Sequence, residues 1–282
     1  MAPSPPPPDT AGGLFGLTGR VAVVTGATGV LGGELARGLA AAGASVGVLA
    51  RRHDRVEALV EELRARGCEA LALETDVLDA DALERARDAV LGRWGRVDVL
   101  VNAAGGNVAA ATTGERSFFE LPRDALEEVV ALNLLGTVLP SQVFGVAMAR
   151  LGDAPSGGRS IVNVSSMAAR RALSRVGGYG AAKAAVENLT RWLAVELAPS
   201  GIRVNAVAPG FFAAEQNRAL LYADDGSLTE RGARIVAGTP AARFGEPREL
   251  VGAVVWLAGD AASFVTGAVI PVDGGFDAFS GV

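Results

Sequence analysis

The sequence holds one cysteine, Cys68, and one histidine, His53. A lone thiol cannot close an internal disulfide, which suits a reducing compartment, and its position reads as packing near a helix end rather than as a nucleophile. A lone histidine excludes a Ser-His-Asp relay and a histidine-rich metal site, so no metal is expected. His53 itself follows Arg52 at the start of a helical run and reads as solvent-exposed. Basic charge is also in deficit. Lys and Arg total 26 against 31 Asp and Glu, a net charge of -5, and they are scattered. That leaves no stripe to neutralise a row of phosphates, and no nucleic-acid partner is expected. The start, MAPSPPPPDTAGG, lacks the basic and apolar parts of a secretion signal. Residues 1–13 therefore read as a disordered Pro-rich leader on a cytoplasmic protein. Long apolar runs are almost missing too. Only residues 129–149 are long and uncharged enough to test as a membrane span, and their Asn133, Pro140, Ser141 and Gln142 argue for a buried helix, so no membrane is expected as a partner.

What the chain does have is a repeating rhythm. Half of its 282 residues are apolar, enough for a large core. Seven β-rich runs, among them RVAVVTG, ASVGVLA, RVDVLVNAAG, SIVNVSS and GIRVNAVAPG, are mostly separated by stretches of helical spacing such as HDRVEALVEELRARG. Strand then helix, repeated, predicts an α/β protein with a parallel sheet. Strands buried on both faces explain why these runs are nearly continuous in Val, Ala, Leu and Ile. The prediction is a single-domain Rossmann fold over residues 14–282, a doubly wound seven-stranded parallel sheet with helices on both faces. Residues 107–122 and 211–247 break the rhythm and are expected to shape a substrate site.

The stretch TGATGVLGG follows the first strand. Strand, glycine turn and a helix from about Val30 would put the first helical amides at the sheet's carboxyl edge, a pyrophosphate site built from Gly26, Thr28, Gly29, Val30, Leu31 and Gly32. The glycines let backbone approach phosphate, where a side chain would stand in the ligand's place. No lysine follows, so a nucleoside triphosphate fits poorly and a dinucleotide well. Taken alone, the turn is as compatible with a purely structural role. Further along, Tyr179 and Lys183 are four apart in a helical stretch, so the ammonium can lie beside the phenol and favour its phenolate. Such a tyrosine can exchange a proton with an alcohol oxygen near neutral pH. A surface pair on an amphipathic helix is the competing reading. Ser165 and Ser166 end a strand just upstream, where either hydroxyl could hold the same oxygen.

With TGATGVLG, Asp76-Val77, Asn102-Ala103-Ala104-Gly105, Asn133, Ser166, Tyr179 with Lys183, NAVAPG from Asn205 and VDGG from Val272 all in order, the chain resembles the short-chain dehydrogenase/reductase family over nearly its whole length. The resemblance selects Ser166 over Ser165. It implies Tyr179 as general acid/base, Ser166 positioning the substrate oxygen, Lys183 on the nicotinamide ribose lowering the tyrosine pKa, and Asn133 holding a proton-relay water. It also implies Asp76 and Val77 at the adenine, Asn102, Ala103 and Gly105 beside the cofactor, and Pro209, Gly210 and Phe212 at the nicotinamide. Two positions depart from the family pattern. Val30 stands where the middle glycine is usual, and Ala214 stands where a threonine often contacts the nicotinamide amide.

AGGN at Ala104, LNLLGTVLPSQVFG at Leu132, APGFF at Ala208, EQNR at Glu215, GSLTERG at Gly226 and the terminal PVDGGFDAFSGV resemble the D-mannonate oxidoreductase (fructuronate reductase) branch. Asn107, Arg175, Glu215, Gln216, Asn217 and Arg218 could dress a pocket for a polyhydroxy acid, an arginine gripping its carboxylate through two parallel hydrogen bonds. The expected reaction interconverts D-mannonate and D-fructuronate. A 3-oxoacyl thioester reductase is the alternative, as is a non-catalytic cofactor sensor, which would have no need of the Ser166, Tyr179, Lys183 and Asn133 set. The cofactor is NADP(H) or NAD(H). The second strand ends in Ala50 rather than the acid that accepts a ribose 2'-hydroxyl, and Arg51 follows, which favours NADP(H), while the branch resemblance suggests NAD(H). The uncharged 129–149 helix and the apolar C-terminal tail suit a homotetramer or homodimer.

Overall fold

The computed structural model describes residues 11–114, 116–150, 158–213 and 218–281. Residues 1–10 of the Pro-rich leader lie outside them. The described chain begins with a single helical turn, α1 (Ala11–Phe15), and then alternates: β1 (Val21–Thr25), α2 (Val30–Ala41), β2 (Ser45–Ala50), α3 (His53–Ala65), β3 (Ala70–Glu74), α4 (Ala80–Trp94) and β4 (Val99–Asn102). The second half runs α5 (Arg123–Val130), α6 (Gly136–Arg150), β5 (Arg159–Val164), α7 (Gly177–Glu196), β6 (Ile202–Pro209), α8 (Arg218–Leu221), α9 (Glu230–Ala237), α10 (Val251–Ala258) and β7 (Val269–Val272). Seven strands form one sheet in the order β3-β2-β1-β4-β5-β6-β7, and every neighbouring pair is parallel. This is the predicted Rossmann-type single domain.

Both faces of the sheet are covered, and alternation along each strand divides the core. In β1, Ala22 and Val24 join Leu35, Leu39, Val56, Val60, Val254 and Leu257 of α2, α3 and α10. Val21 and Val23 turn the other way, toward Leu83 and Val90 of α4 and Phe144 and Met148 of α6. Two apolar faces demand an apolar residue at every position, which is why the strand runs looked continuous. The chain winds outward from β1 to β3, then returns to lay β4 on the other side of β1, pairing Thr25 with Asn102. A crevice must open at the carboxyl ends of β1 and β4, where the connections part in opposite directions.

The uncharged run behaves as a core helix with a fault in it. Residues 123–150 are helical throughout, but a π-helical turn, Ala131–Leu135, separates α5 from α6. By length and apolarity this segment could cross a membrane, yet Val129, Phe144 and Met148 are buried against the rest of the protein. Of the two arrhythmic segments, 107–122 holds only the short turns Ala109–Ala111 and Phe118–Glu120. The other carries α8 and α9, so it is partly helical rather than a plain loop. Cys68 follows α3 and is half-buried, its amide donating to the Leu63 carbonyl at 3.0 Å. His53 opens α3, exposed, 3.2 Å from Glu74.

Candidate active site at the carboxyl edge of the sheet

The glycine turn connects β1 to α2, whose N-cap is Gly29, with no side chain capping the first amides. Those amides, from Val30, Leu31 and Gly32, have no partner within the helix and carry its positive dipole end. Thr28, Gly29 and Val30 line an open cleft of about 580 Å³ there. The glycines, however, answer to the protein before any ligand. A Cβ on Gly26, at φ +63, would stand 2.7 Å from the Ala104 backbone, and one on Gly32 would stand 2.3 Å from the Gly26 carbonyl oxygen. Close packing of backbone on backbone requires them, whatever ligand the turn also admits. Thr25, unnoticed in the sequence, locks the two loops: its buried hydroxyl accepts the amides of Ala103 and Ala104, each at 3.1 Å.

Several residues implied at the cofactor have structural duties. Asn102 is buried and donates to Ser141 and to Asn163, both at 2.9 Å, so its side chain ties β4 to β5 and α6. Val77 is buried against Gly136. Asp76 accepts the Leu78 amide at 3.0 Å and lies 3.9 Å from Arg51, a long pair in which the arginine side chain is 70% exposed. Exposed pairs at that distance contribute little, so Arg51 is free to turn to another anion. Pro209 ends β6, the Gly210 amide donates to Val272 at 3.0 Å, and Phe212 is buried with its ring over Gly245. The Phe212 side chain thus packs in the core. Ala214 and Glu215 lie outside the described residues, as do Gln216 and Asn217.

At the centre, α7 carries Tyr179 and Lys183 on one face. Gly180 lets the helix touch the turn after β5, since a Cβ there would come within 2.8 Å of the Ala168 carbonyl oxygen. That contact brings the Ser166 hydroxyl beside the Tyr179 phenol, where it favours the phenolate. Ser165 faces away, buried, donating to Glu187 at 3.2 Å. Glu187 is one turn beyond Lys183 and also pairs with Arg170 at 3.1 Å. Its spacing of four from Lys183 was a signal available in the sequence and not used.

Lys183 is the sole lysine of the chain. It is 3% exposed, and its ammonium donates to the Val164 carbonyl at 2.8 Å and sits 5.8 Å from the centre of the Tyr179 ring. Burial dominates both groups. It pushes the phenol up, against the opposing effect of the Ser166 hydrogen bond, and it lowers the ammonium to about 8. One N–H of the ammonium is held by the Val164 carbonyl, which leaves two others, and desolvation disfavours the charged form of both groups. Asn133 is held as firmly. Fully buried in the π-helical turn, it donates to Gly106 and Val129 carbonyls, both at 2.8 Å, and accepts the Gly106 amide at 3.1 Å. Its side chain clamps the 105–106 loop. Gly105 lies between it and Lys183, within 3.1 Å of the ammonium from the place a Cβ would occupy.

Beside this centre, Ser174, Arg175, Phe211, Arg231, Arg234 and Phe276 line a second cleft of about 270 Å³. Of the sequence candidates, Arg175 is in it. Asn107 is exposed on the neighbouring loop. Arg218 is not in it, because its guanidinium stacks on Tyr222, 5.3 Å from the ring centre, an attraction of cation to aromatic face. Arg231 and Arg234 take the place expected of Arg218.

An uncapped helix N-terminus opening on a wide cleft, an exposed arginine after β2 and a buried ammonium beside a tyrosine suit the two phosphates, adenosine ribose and nicotinamide ribose of a dinucleotide. Comparison agrees. Residues 26–277 match the family described as Enoyl-(Acyl carrier protein) reductase. The chain belongs to this family of short-chain dehydrogenases/reductases, and it is a nicotinamide-dependent oxidoreductase. Among its relatives is UxuB of Bacillus subtilis (strain 168), an uncharacterized oxidoreductase, 46% identical over 94% of this chain and 98% of the relative. A protein of Haemophilus influenza provisionally called a D-mannonate oxidoreductase, solved with bound NAD, superimposes with a TM-score of 0.89 at 40% identity, covering 95% of this chain and 98% of the other. A gluconate 5-dehydrogenase from Burkholderia cenocepacia J2315, in complex with NADP and tartrate, superimposes at 0.85 with 31% identity, over 96% and 100% of the two chains.

Proposed function

We propose that the protein interconverts a hydroxyl and a carbonyl on a sugar acid, with D-mannonate and D-fructuronate as the pair, and that it favours NADP(H). The observation that carries the reading is a cleft lined by three arginines and one glutamate among Leu173, Phe211, Ile235 and Phe276, next to the turn that leads into α7, in a protein of net charge -5. Such a lining favours a small anion and disfavours an alkyl chain, because a charged or polar group buried against hydrocarbon without a partner costs about 1–3 kcal/mol or more. The sugar-acid names of the two solved relatives support it.

In the proposed mechanism the Ser166 hydroxyl holds the substrate oxygen against Tyr179. The phenol, raised by burial, remains protonated through neutral pH and donates its proton to the developing alkoxide during reduction; oxidation reverses the transfer. Bound nicotinamide supplies or accepts the hydride. Lys183, held by Val164, presents an ammonium to the ribose and to the deprotonated tyrosine after transfer. Asn133 is a positioning residue that shapes the 105–106 loop. Arg51 pairs with a 2'-phosphate in place of its long contact to Asp76. A homotetramer or homodimer in the cytoplasm belongs to the same proposal, supported by the exposed Trp192 and Val195 on α7, and light scattering in solution reads it.

The test is a substrate panel with both cofactors, followed at the absorbance of reduced nicotinamide. Turnover of fructuronate well above that of 3-oxoacyl thioesters is the expected result. The family description favours the acyl alternative, and efficient thioester reduction with fructuronate ignored would establish it instead.

A further inference from the structure

Arg231 and Arg175 are the residues of the second cleft without an ion pair among the described residues. Three guanidinium groups, of Arg175, Arg231 and Arg234, line it with one carboxylate, Glu230. Arg234 is ion-paired with Glu230, one turn away on α9. Arg231 is half-buried, so water only partly compensates for its charge.

The cleft holds these groups on pinned backbone. Thr229 caps α9, its hydroxyl accepting the Gly232 amide at 3.0 Å and donating to the Leu220 carbonyl at 2.7 Å. A Cβ on Gly232 would stand 2.3 Å from the Leu221 carbonyl oxygen, so α9 and the end of α8 are in backbone contact. On the opposite wall Arg175 occupies left-handed backbone, φ +74, a conformation that non-glycine residues leave unless their surroundings hold them. Here its carbonyl accepts the Thr113 amide at 3.2 Å. Arg175 lies on the turn that leads into α7, the helix that carries Tyr179. Between the two arginines the walls are Phe211 and Phe276, in edge contact with ring centres 5.2 Å apart. Ring faces of that kind suit the C–H face of a polyol and offer it no competing charge.

We propose that Arg231 and Arg175 together form the carboxylate clamp of the substrate site, and that Arg231 is the residue by which the enzyme tells a ketohexonate from a neutral ketose. The proposal rests on the sugar-acid reading above and adds which residues enforce it. A planar guanidinium meets a carboxylate through two parallel hydrogen bonds, a geometry that neither a neutral hydroxyl nor a thioester reproduces. Arginine also keeps its charge at any working pH, so the selectivity persists on the alkaline side.

The holoenzyme with NADP(H) is assayed with fructuronate and with D-fructose as wild type, Arg231→Gln and Arg218→Gln. Arg231→Gln is expected to raise KM for the acid by about 10- to 100-fold while kcat and the KM for fructose stay within about twofold. Arg218→Gln, outside the cleft, leaves both substrates within about threefold. In parallel, binding of D-tartrate, inorganic phosphate and xylitol to the same complexes is measured by nicotinamide fluorescence. Tartrate binding that falls in Arg231→Gln, with xylitol unaffected, supports the clamp even if fructuronate is not turned over, in which case only the reaction assignment fails. Turnover of the acid with KM unmoved by Arg231→Gln overturns the clamp and leaves the sugar-acid reading standing. Phosphate bound more tightly than tartrate overturns the carboxylate assignment.

Discussion

Replacing Lys183 by methionine should make the protein more stable and inactive. The ammonium is 3% exposed, and burial lowers its pKa from 10.5 to about 8. At about 1.4 kcal/mol per factor of ten, that drop means the folded state is roughly 3 kcal/mol less stable with the charge present than without it. The deficit is present in full below about pH 8. It shrinks as pH rises toward 10.5, because the unfolded chain then binds more protons than the folded one and stability climbs with pH. Between pH 7 and 9.5 the wild type should gain about 2 kcal/mol from this residue. No other lysine titrates in this chain, so the signal is unusually clean. Methionine fills the volume but leaves the Val164 carbonyl without this donor, a cost of about 1–3 kcal/mol, leaving a net gain of about 0–2 kcal/mol at pH 7. Urea unfolding of both proteins at pH 7 and 9.5, with slopes compared, measures it. A variant less stable than wild type at pH 7, or an alkaline gain of equal size in both proteins, would refute the reasoning.

Tyr179→Phe keeps the ring's packing and loses the proton, so kcat should fall by about 100- to 10,000-fold with cofactor affinity, read by nicotinamide fluorescence, nearly unchanged. Arg51→Ala should lower the ratio of kcat/KM for NADPH over NADH about tenfold, the size of one lost exposed charge-assisted contact; an unchanged ratio removes Arg51 from 2'-phosphate recognition. Gly180→Ala forces a methyl against the Ala168 carbonyl and should lower both stability, by about 1–3 kcal/mol, and kcat, as Ser166 moves from Tyr179; thermal unfolding and steady-state rates report the two effects. Asn133→Ala leaves the Gly106 amide and two carbonyls without their partner, so loss of about 1–3 kcal/mol in urea unfolding is expected, with KM for cofactor raised through the loosened 105–106 loop.

Period and composition carried the architecture. Apolar residues at every strand position, helices between, and glycines after the first strand need only local chemistry to be read, because a parallel sheet covered on both faces tolerates little else. Tyr179 and Lys183 were legible as well, since a four-residue helical spacing brings them near one another, whereas the strand end offered Ser165 and Ser166 alike and only the family resemblance chose Ser166. What the linear chain does not contain is direction and dielectric. Lys183 looked like a partner for the phenol, yet whether its ammonium reaches Tyr179 or Val164, and which way burial shifts both groups, depends on walls supplied by β5, α7 and the Gly105 loop. Asn102 and Asn133 looked like ligand contacts by position, and folding turned both side chains onto backbone or neighbouring amides. Arg218 and Arg231 are equivalent as letters in one polar segment. Only the packing of α9 against α8 leaves one of them stacked on Tyr222 and the other in the cleft beside Arg175, since a side chain's partner is set by contacts between residues that its own neighbours in sequence do not determine.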